Sequence, residues 1–246
     1  ALSALRSPMC RSVLVESAFA AADVPVYDST LYEGGASLST ADNILRVGRE
    51  LGLCSDDADT NALVTRGDAA IILHVVLTQS FRIEEPPVPV TLVNAAGVNI
   101  NDYLLALRQV PEPVLAAFNA AGWTYRIDFD YMGGLSKKLN MSCIGATNYS
   151  QKTIYLSEAS ATLHEFGHFL DWMLGFPAEY EQLFRAEASA APLRNYAKTD
   201  SREYFADCFA YWVKYAENAN AISLLQECAP MTYRYMEDLM RIANRL

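Results

Sequence analysis

The sequence predicts an α+β protein that is mainly helical, with a small helical domain preceding a larger one that combines helices, a small sheet and a helix bearing His-Glu-x-x-His. Three observations predict it. Apolar residues recur at helical spacing through most of the chain, two short runs alternate β-branched and aromatic residues, and a proline-rich break falls at Glu84-Glu85-Pro86-Pro87-Val88-Pro89. Prolines lack the backbone donor and fix φ, so such a run neither propagates a helix nor completes a strand ladder. The organisation reads as a helical accessory domain over residues 1–83, an extended linker over 84–90 and a second domain over 91–246.

In the first domain, helices are expected over Val13–Phe19, Ile44–Leu51 and Ala69–Leu77, separated by turn-rich stretches such as Tyr32-Glu33-Gly34-Gly35. Thr65 is placed to cap the third helix, with Asp68 three residues on, where its carboxylate reaches back to the cap. His74 stands alone among aliphatic residues and reads as a core or surface histidine rather than a ligand. The order from Tyr27-Asp28, through a helix ending near Glu50-Leu51-Gly52-Leu53, to Val64-Thr65-Arg66-Gly67-Asp68-Ala69-Ala70 resembles an S-layer homology module. Leu5-Arg6 to Phe19 resembles the closing helix of a preceding one, so residues 5–80 hold only part of a module set. The resemblance implies cell-wall polymer as a partner of this domain; a helical packing domain is the alternative.

In the second domain, Ile100–Leu107 and Val114–Ala120 read as short helices divided by Pro111 and Pro113. Thr124–Phe129 and Thr153-Ile154-Tyr155-Leu156 read as strands, with turns at Gly133-Gly134 and Asn148–Gln151 between them. From Ala159 onward the pattern is helical again.

Composition narrows the function. The chain has 246 residues, 52% of them hydrophobic, enough to bury a sizeable core. Nineteen basic against 29 acidic residues give a net charge of -10, which disfavours an electrostatic grip on nucleic acid or an anionic membrane. No membrane span is expected, since even the apolar run Ala69–Leu77 is short and bounded by Asp68 and Thr78. The opening ALSALRSPMCRSVL lacks a basic-then-apolar leader, which reads as a targeting segment removed or never present. Cys10, Cys54, Cys143, Cys208 and Cys228 have no ligand-like spacing and read as small hydrophobes rather than as a metal site or disulfides.

The chemistry concentrates at His164-Glu165-Phe166-Gly167-His168. Histidines four apart on a helix point to one side and can share an ion, and the glutamate between them can take a proton from a metal-activated water. Ser160 is placed to cap this helix, and Gly175 followed by Pro177 to end it. Two of the chain's three histidines fall here. A catalytic zinc needs a third protein ligand and one open position. A third histidine six residues past His168 is excluded because that position is Leu174. Downstream, Glu203 and Asp207 share one face of an otherwise apolar helix, Arg202–Trp212. Buried acids require a partner, which zinc-bound imidazoles supply: Glu203 as ligand, and Asp207 accepting from the far nitrogen of a liganded histidine. Asp171 is placed for that same acceptor role and is the best alternative ligand, whereas Glu179, Glu181 and Glu187 lie in a stretch that reads as solvated. An ion pair of Glu203 with Arg194 or Arg202 is the alternative to ligation.

The pair HEFGHFLD and EYFADCFAYW, with Tyr196 seven residues before Glu203, resembles the anthrax-lethal-factor-like peptidases, a gluzincin family that includes Pro-Pro endopeptidases. The resemblance covers about residues 90–246. It implies a zincin-like catalytic domain and a single Zn2+ held by His164, His168 and Glu203. It further implies Glu165 as general base, Tyr196 as donor to the oxyanion, and a protein or peptide substrate. Asp207 departs from the pattern, relatives often having glutamate there. The strand Thr153–Leu156, directly before the active helix, is expected to be the edge that pairs with an extended substrate. Together the two resemblances imply secretion or the cell surface of a bacterium. A zinc-binding or wall-associated protein without turnover, and a zinc hydrolase of small molecules, remain as alternatives.

Overall fold

The computed structural model describes residues 9–55, 58–78 and 83–243. The chain divides into two compact units, Ala1–Pro87 and Val88–Leu246. In the first, helices α1 (Arg11–Ala21), α2 (Thr40–Glu50) and α3 (Arg66–Thr78) enclose a core of Val15, Phe19, Ile44, Leu45, Val47 and Ile72. Helix α2 starts at Ser39, whose hydroxyl accepts from the Asp42 amide at 3.2 Å. Thr65 and Asp68 form a reciprocal capping box at α3: the Asp68 amide donates to Thr65 Oγ1 at 3.1 Å and the Thr65 amide to Asp68 Oδ2 at 2.9 Å. His74 is exposed on α3. Leu5 and Arg6, which begin the expected first helix, lie outside the described residues.

In the second unit, strand β1 (Leu92–Asn94) precedes helices α4 (Asn101–Gln109) and α5 (Glu112–Ala120). Strand β2 (Thr124–Ile127), helix α6 (Phe129–Leu139), strands β3 (Gly145–Asn148) and β4 (Thr153–Leu156), and helix α7 (Thr162–Met173) follow. Helices α8 (Ala178–Glu187), α9 (Ser201–Lys214), α10 (Ala219–Cys228) and α11 (Pro230–Ala243) complete it. The sheet runs β1-β2-β4-β3, parallel except for the antiparallel β3–β4 pair. The fold is thus α+β and mainly helical with a small sheet.

Several expectations need correction. The β2 strand stops at Ile127 because Asp128 caps a helix, its Oδ1 accepting from the Tyr131 amide at 2.9 Å. Gly133 and Gly134, expected in a turn, lie inside α6, whose far end is Asn140 in the left-handed region at φ 52°. Both glycines face solvent, and α6 is anchored instead by buried Met132 and by Tyr131 stacked on Tyr155 at 3.7 Å. β4 lies inside the sheet, between β2 and β3, so both of its edges are already paired and its residues Thr153, Ile154, Tyr155 and Leu156 are all buried. The edge strand beside it is β3. Ser160 does not cap α7: its hydroxyl faces Glu158, and a 3-10 turn, Ala159–Ala161, leads into the helix. Glu187 is buried rather than solvated, because its carboxylate receives the Met231 and Thr232 amides at 3.0 and 2.8 Å and caps α11.

The core beneath α7 is aromatic. Phe166 and Phe169 pack on Phe118 at ring centroid distances of 4.9 and 5.1 Å, and Trp123 lies 5.2 Å from Phe169. Tyr125 on β2 is hydrogen-bonded to Thr162 at 2.7 Å, tying the sheet to the start of α7. A second cluster of Tyr180, Tyr204, Phe205, Cys208, Leu225 and Met236 backs α9. Among the described residues no disulfide joins the cysteines, and Cys208 is buried. Among the described residues no helix is long and apolar enough to cross a membrane.

Candidate metal centre

Helix α7 sets the first half of the site. Its buried face carries Phe166 and Phe169, which leaves His164 and His168 side by side on the other side of the helix, their Nε2 atoms 3.1 Å apart. Helix α9 supplies the third group. Asp200 caps α9, its Oδ1 accepting from the Arg202 and Glu203 amides at 2.9 and 3.0 Å, and this fixes Glu203 in the first turn. The two helices cross closely because residue 167 is glycine: a Cβ there would stand 2.6 Å from the Ala206 Cα and 2.8 Å from its carbonyl oxygen.

At that crossing Glu203 Oε2 lies 3.1 Å from His164 Nε2 and 3.4 Å from His168 Nε2. Three donor atoms thereby converge on one point. Ligands tetrahedrally disposed about zinc at about 2.0–2.1 Å stand roughly 3.3 Å from one another, so the spacing suits such an ion. Burial alone would raise the Glu203 carboxyl, but the two imidazoles facing it outweigh that and hold it well below the usual carboxylate range. Neither Arg194 nor Arg202 pairs with Glu203: the first binds Asp207 and the second lies over the Phe176 ring at 4.2 Å.

Behind His164, Asp207 Oδ1 stands 2.7 Å from Nδ1. That contact fixes the ring and leaves Nε2 facing the cluster. Burial lowers His164, but its contacts with Asp207 and Glu203 prevail and push it up to about 9. His168 Nδ1 is buried without a hydrogen-bond partner. Asp171, expected as a second acceptor, is buried near it, and burial pushes its carboxyl up to about 6; no hydrogen bond joins it to that nitrogen.

Glu165 is 4% exposed. Its Oε2 accepts from Thr147 Oγ1 at 2.7 Å, so β3 orients the carboxylate. Gly145 on the same strand makes room for it, since a Cβ there would meet Glu165 Oε1 at 2.5 Å. Tyr196, on a 3-10 turn over Asn195–Lys198, is half-exposed with its ring centroid 6.3 Å from that of His164. Burial and then the Glu203 charge push its hydroxyl up to about 12, which keeps it a proton donor through neutral pH. All these groups line one open cleft of about 980 Å3, walled on the α6 side by Leu135, Leu139 and Met141.

The structure therefore brings together His164, Glu165, His168, Tyr196, Glu203 and Asp207. It leaves Asp171 without the expected contact and puts β4 beneath the cleft rim that β3 forms. Sequence reading missed Thr147, Gly167, Asp200 and Arg194 as parts of the site. Asp200 was legible, as an acid three residues before Glu203 at a helix start. The others act across sequence separations that periodicity does not reach.

The family model described as anthrax toxin lethal factor, N- and C-terminal domain, matches residues 127–239, a stretch holding every group of the cluster, and this part of the chain is similar to that family. Among solved structures, the Pro-Pro endopeptidase from Paenibacillus alvei aligns with a TM-score of 0.47 and 19% identity over 60% of this chain and 96% of that one. No curated protein sequence matches the chain.

Proposed function

We propose that the chain is a zinc-dependent endopeptidase that hydrolyses peptide bonds of a protein substrate with Glu165 as general base. The observation that carries this reading is the convergence of His164, His168 and Glu203 on one point at the floor of an open cleft, beside a carboxylate held ready by Thr147. His164, His168 and Glu203 would hold a single zinc ion, which when bound would acidify a water and polarise the carbonyl to be attacked. Glu165 has one oxygen engaged by Thr147, which leaves Oε1 to receive the water's proton and then to deliver it to the leaving amine. Tyr196 donates its hydroxyl proton as a hydrogen bond to the carbonyl oxygen as charge develops there. An extended peptide pairs with the edge strand β3, which replaces β4 in that role, and its side chains meet the apolar wall of α6.

The test is elemental analysis of purified protein together with cleavage of a mixed peptide library, with and without chelator, sequenced at the new N-termini. Stoichiometric zinc and chelator-sensitive cleavage are the expected results. Zinc without cleavage would favour a binding protein instead. Attachment of the first unit to cell-wall polymer, and with it a bacterial surface location, is a separate proposal, tested by co-sedimentation with purified walls.

Zinc uptake competes with the proton that Asp207 and Glu203 hold on His164, whose pKa lies at about 9. Affinity is therefore expected to increase as pH rises through neutrality and to level off near that value, with proton release on binding. Calorimetric titration in buffers of different ionisation enthalpy measures the release; an affinity independent of pH would contradict the raised imidazole. Thr147→Val, which removes only the hydroxyl, is expected to lower kcat about tenfold with zinc content unchanged, while Thr147→Ser retains most activity.

A further inference from the structure

We infer that Arg194 is a positioning residue that sets both the acceptor behind His164 and the tyrosine beside it, an inference that rests on the zinc-peptidase reading above. Arg194 stands immediately before the turn that carries Tyr196. Its Nε donates to Asp207 Oδ2 at 2.6 Å and its Nη2 to Asp207 Oδ1 at 2.7 Å, so the guanidinium fork closes on both carboxylate oxygens. One orientation of the carboxylate satisfies that fork, and in it Oδ1 is also 2.7 Å from His164 Nδ1. The 3.0 Å approach of Nη2 to Nδ1 is that of two donors converging on one acceptor.

The same guanidinium lies 5.2 Å from the centroid of the Tyr196 ring. Tyr196 is 41% exposed; its ring also lies 6.3 Å from that of His164, and its hydroxyl faces Glu203. One planar cation thus joins the imidazole ligand, through Asp207, to the proposed oxyanion donor. The Arg194 side chain is 53% exposed, so the ion pair contributes little as a plain surface bridge. Its effect falls on geometry, because the carboxylate it grips is only 8% exposed and touches a ligand. A simpler role, neutralising Asp207, would need a positive charge but neither the fork nor the flat face, and lysine supplies the charge alone.

The test measures zinc affinity by chelator competition, and kcat and KM separately, for wild type, Arg194→Lys, Arg194→Gln and Arg194→Ala, each alone and combined with Tyr196→Phe. Thermal unfolding identifies any variant that fails to fold; the lysine and glutamine variants carry the test if alanine does not fold. Arg194→Ala or Arg194→Gln is expected to weaken zinc binding about 10–100-fold, the range for removing a group behind a metal ligand. Arg194→Lys is expected to recover most of that affinity but to keep kcat about tenfold or more below wild type with KM within about twofold. In the Tyr196→Phe background the loss of kcat from each Arg194 variant is expected to shrink, since part of the arginine's effect passes through that ring. Wild-type kcat in Arg194→Lys overturns the inference, as does a rise in KM alone, which would make Arg194 a substrate contact. Fully additive losses with Tyr196→Phe overturn it too. A wild-type protein that takes up no zinc overturns the peptidase reading along with it, whereas zinc uptake and turnover untouched by every Arg194 variant overturn the positioning role alone.

Discussion

Glu165→Gln is expected to lower kcat by about 10²–10⁴-fold while zinc content and the fold stay as in wild type, because the amide keeps the shape of the side chain and loses the ability to take a proton. The structure makes the loss specific. Glu165 is buried and oriented by the 2.7 Å bond from Thr147, and glutamine accepts that bond equally through its carbonyl oxygen, so the side chain keeps its place. KM is expected to change little, since the carboxylate acts on the proton rather than on the bound peptide. Steady-state kinetics on a peptide found by library cleavage, with zinc measured on the same samples, decides the matter. Retention of full activity would remove Glu165 from the mechanism, and loss of zinc from the variant would show that it serves the metal rather than the water.

A large effect on stability is expected at Gly167→Ala. In an open helical position, alanine for glycine stabilises by up to about 1 kcal/mol. Here the added methyl would meet the Ala206 backbone at 2.6 and 2.8 Å, atoms that no side-chain rotation can remove. Helix α9 must move away from α7, at a cost of about 1–3 kcal/mol or more. Because Glu203 lies one turn before Ala206 on α9, the same displacement draws its carboxylate from the imidazoles, and zinc affinity is expected to fall with stability. Gly134→Ala is the comparison: it lies inside α6 with nothing within 4 Å of the added methyl, and it is expected to hold or raise the melting temperature. Denaturant titration of both proteins tests the contrast; equal stability of the two variants would mean that the helices separate without cost.

Much of this molecule could be read from residues near one another in the chain. The motif helix, the histidines one turn apart, the acid pair Glu203 and Asp207 on one helix face and the capping box at Thr65 and Asp68 all follow from the 3.6-residue period and from cap chemistry. Local reading also misled. Gly133-Gly134 suggested a turn, yet caps at Asp128 and Asn140 enclose them in a helix, because end signals and the anchoring of Tyr131 outweigh the modest penalty for two solvent-facing glycines. The strand Thr153–Leu156 was legible as a strand, but its place inside the sheet was not, since strand order is set by pairing across the chain.

The sequence by itself determined which residue types share the site: two imidazoles, a carboxylate between them and two further acids, each on a helix whose period aimed it. Only the tertiary structure decided that these helices meet, at what distance, and what stands behind each group. The meeting depends on Gly167 against the Ala206 backbone, on Thr147 reaching Glu165 from a neighbouring strand, and on Arg194 closing on Asp207. The physical reason is one of range: helical period and capping act over a few residues of chain, whereas van der Waals contact and hydrogen bonding act over a few ångströms of space, and folding alone brings the second kind of neighbour together.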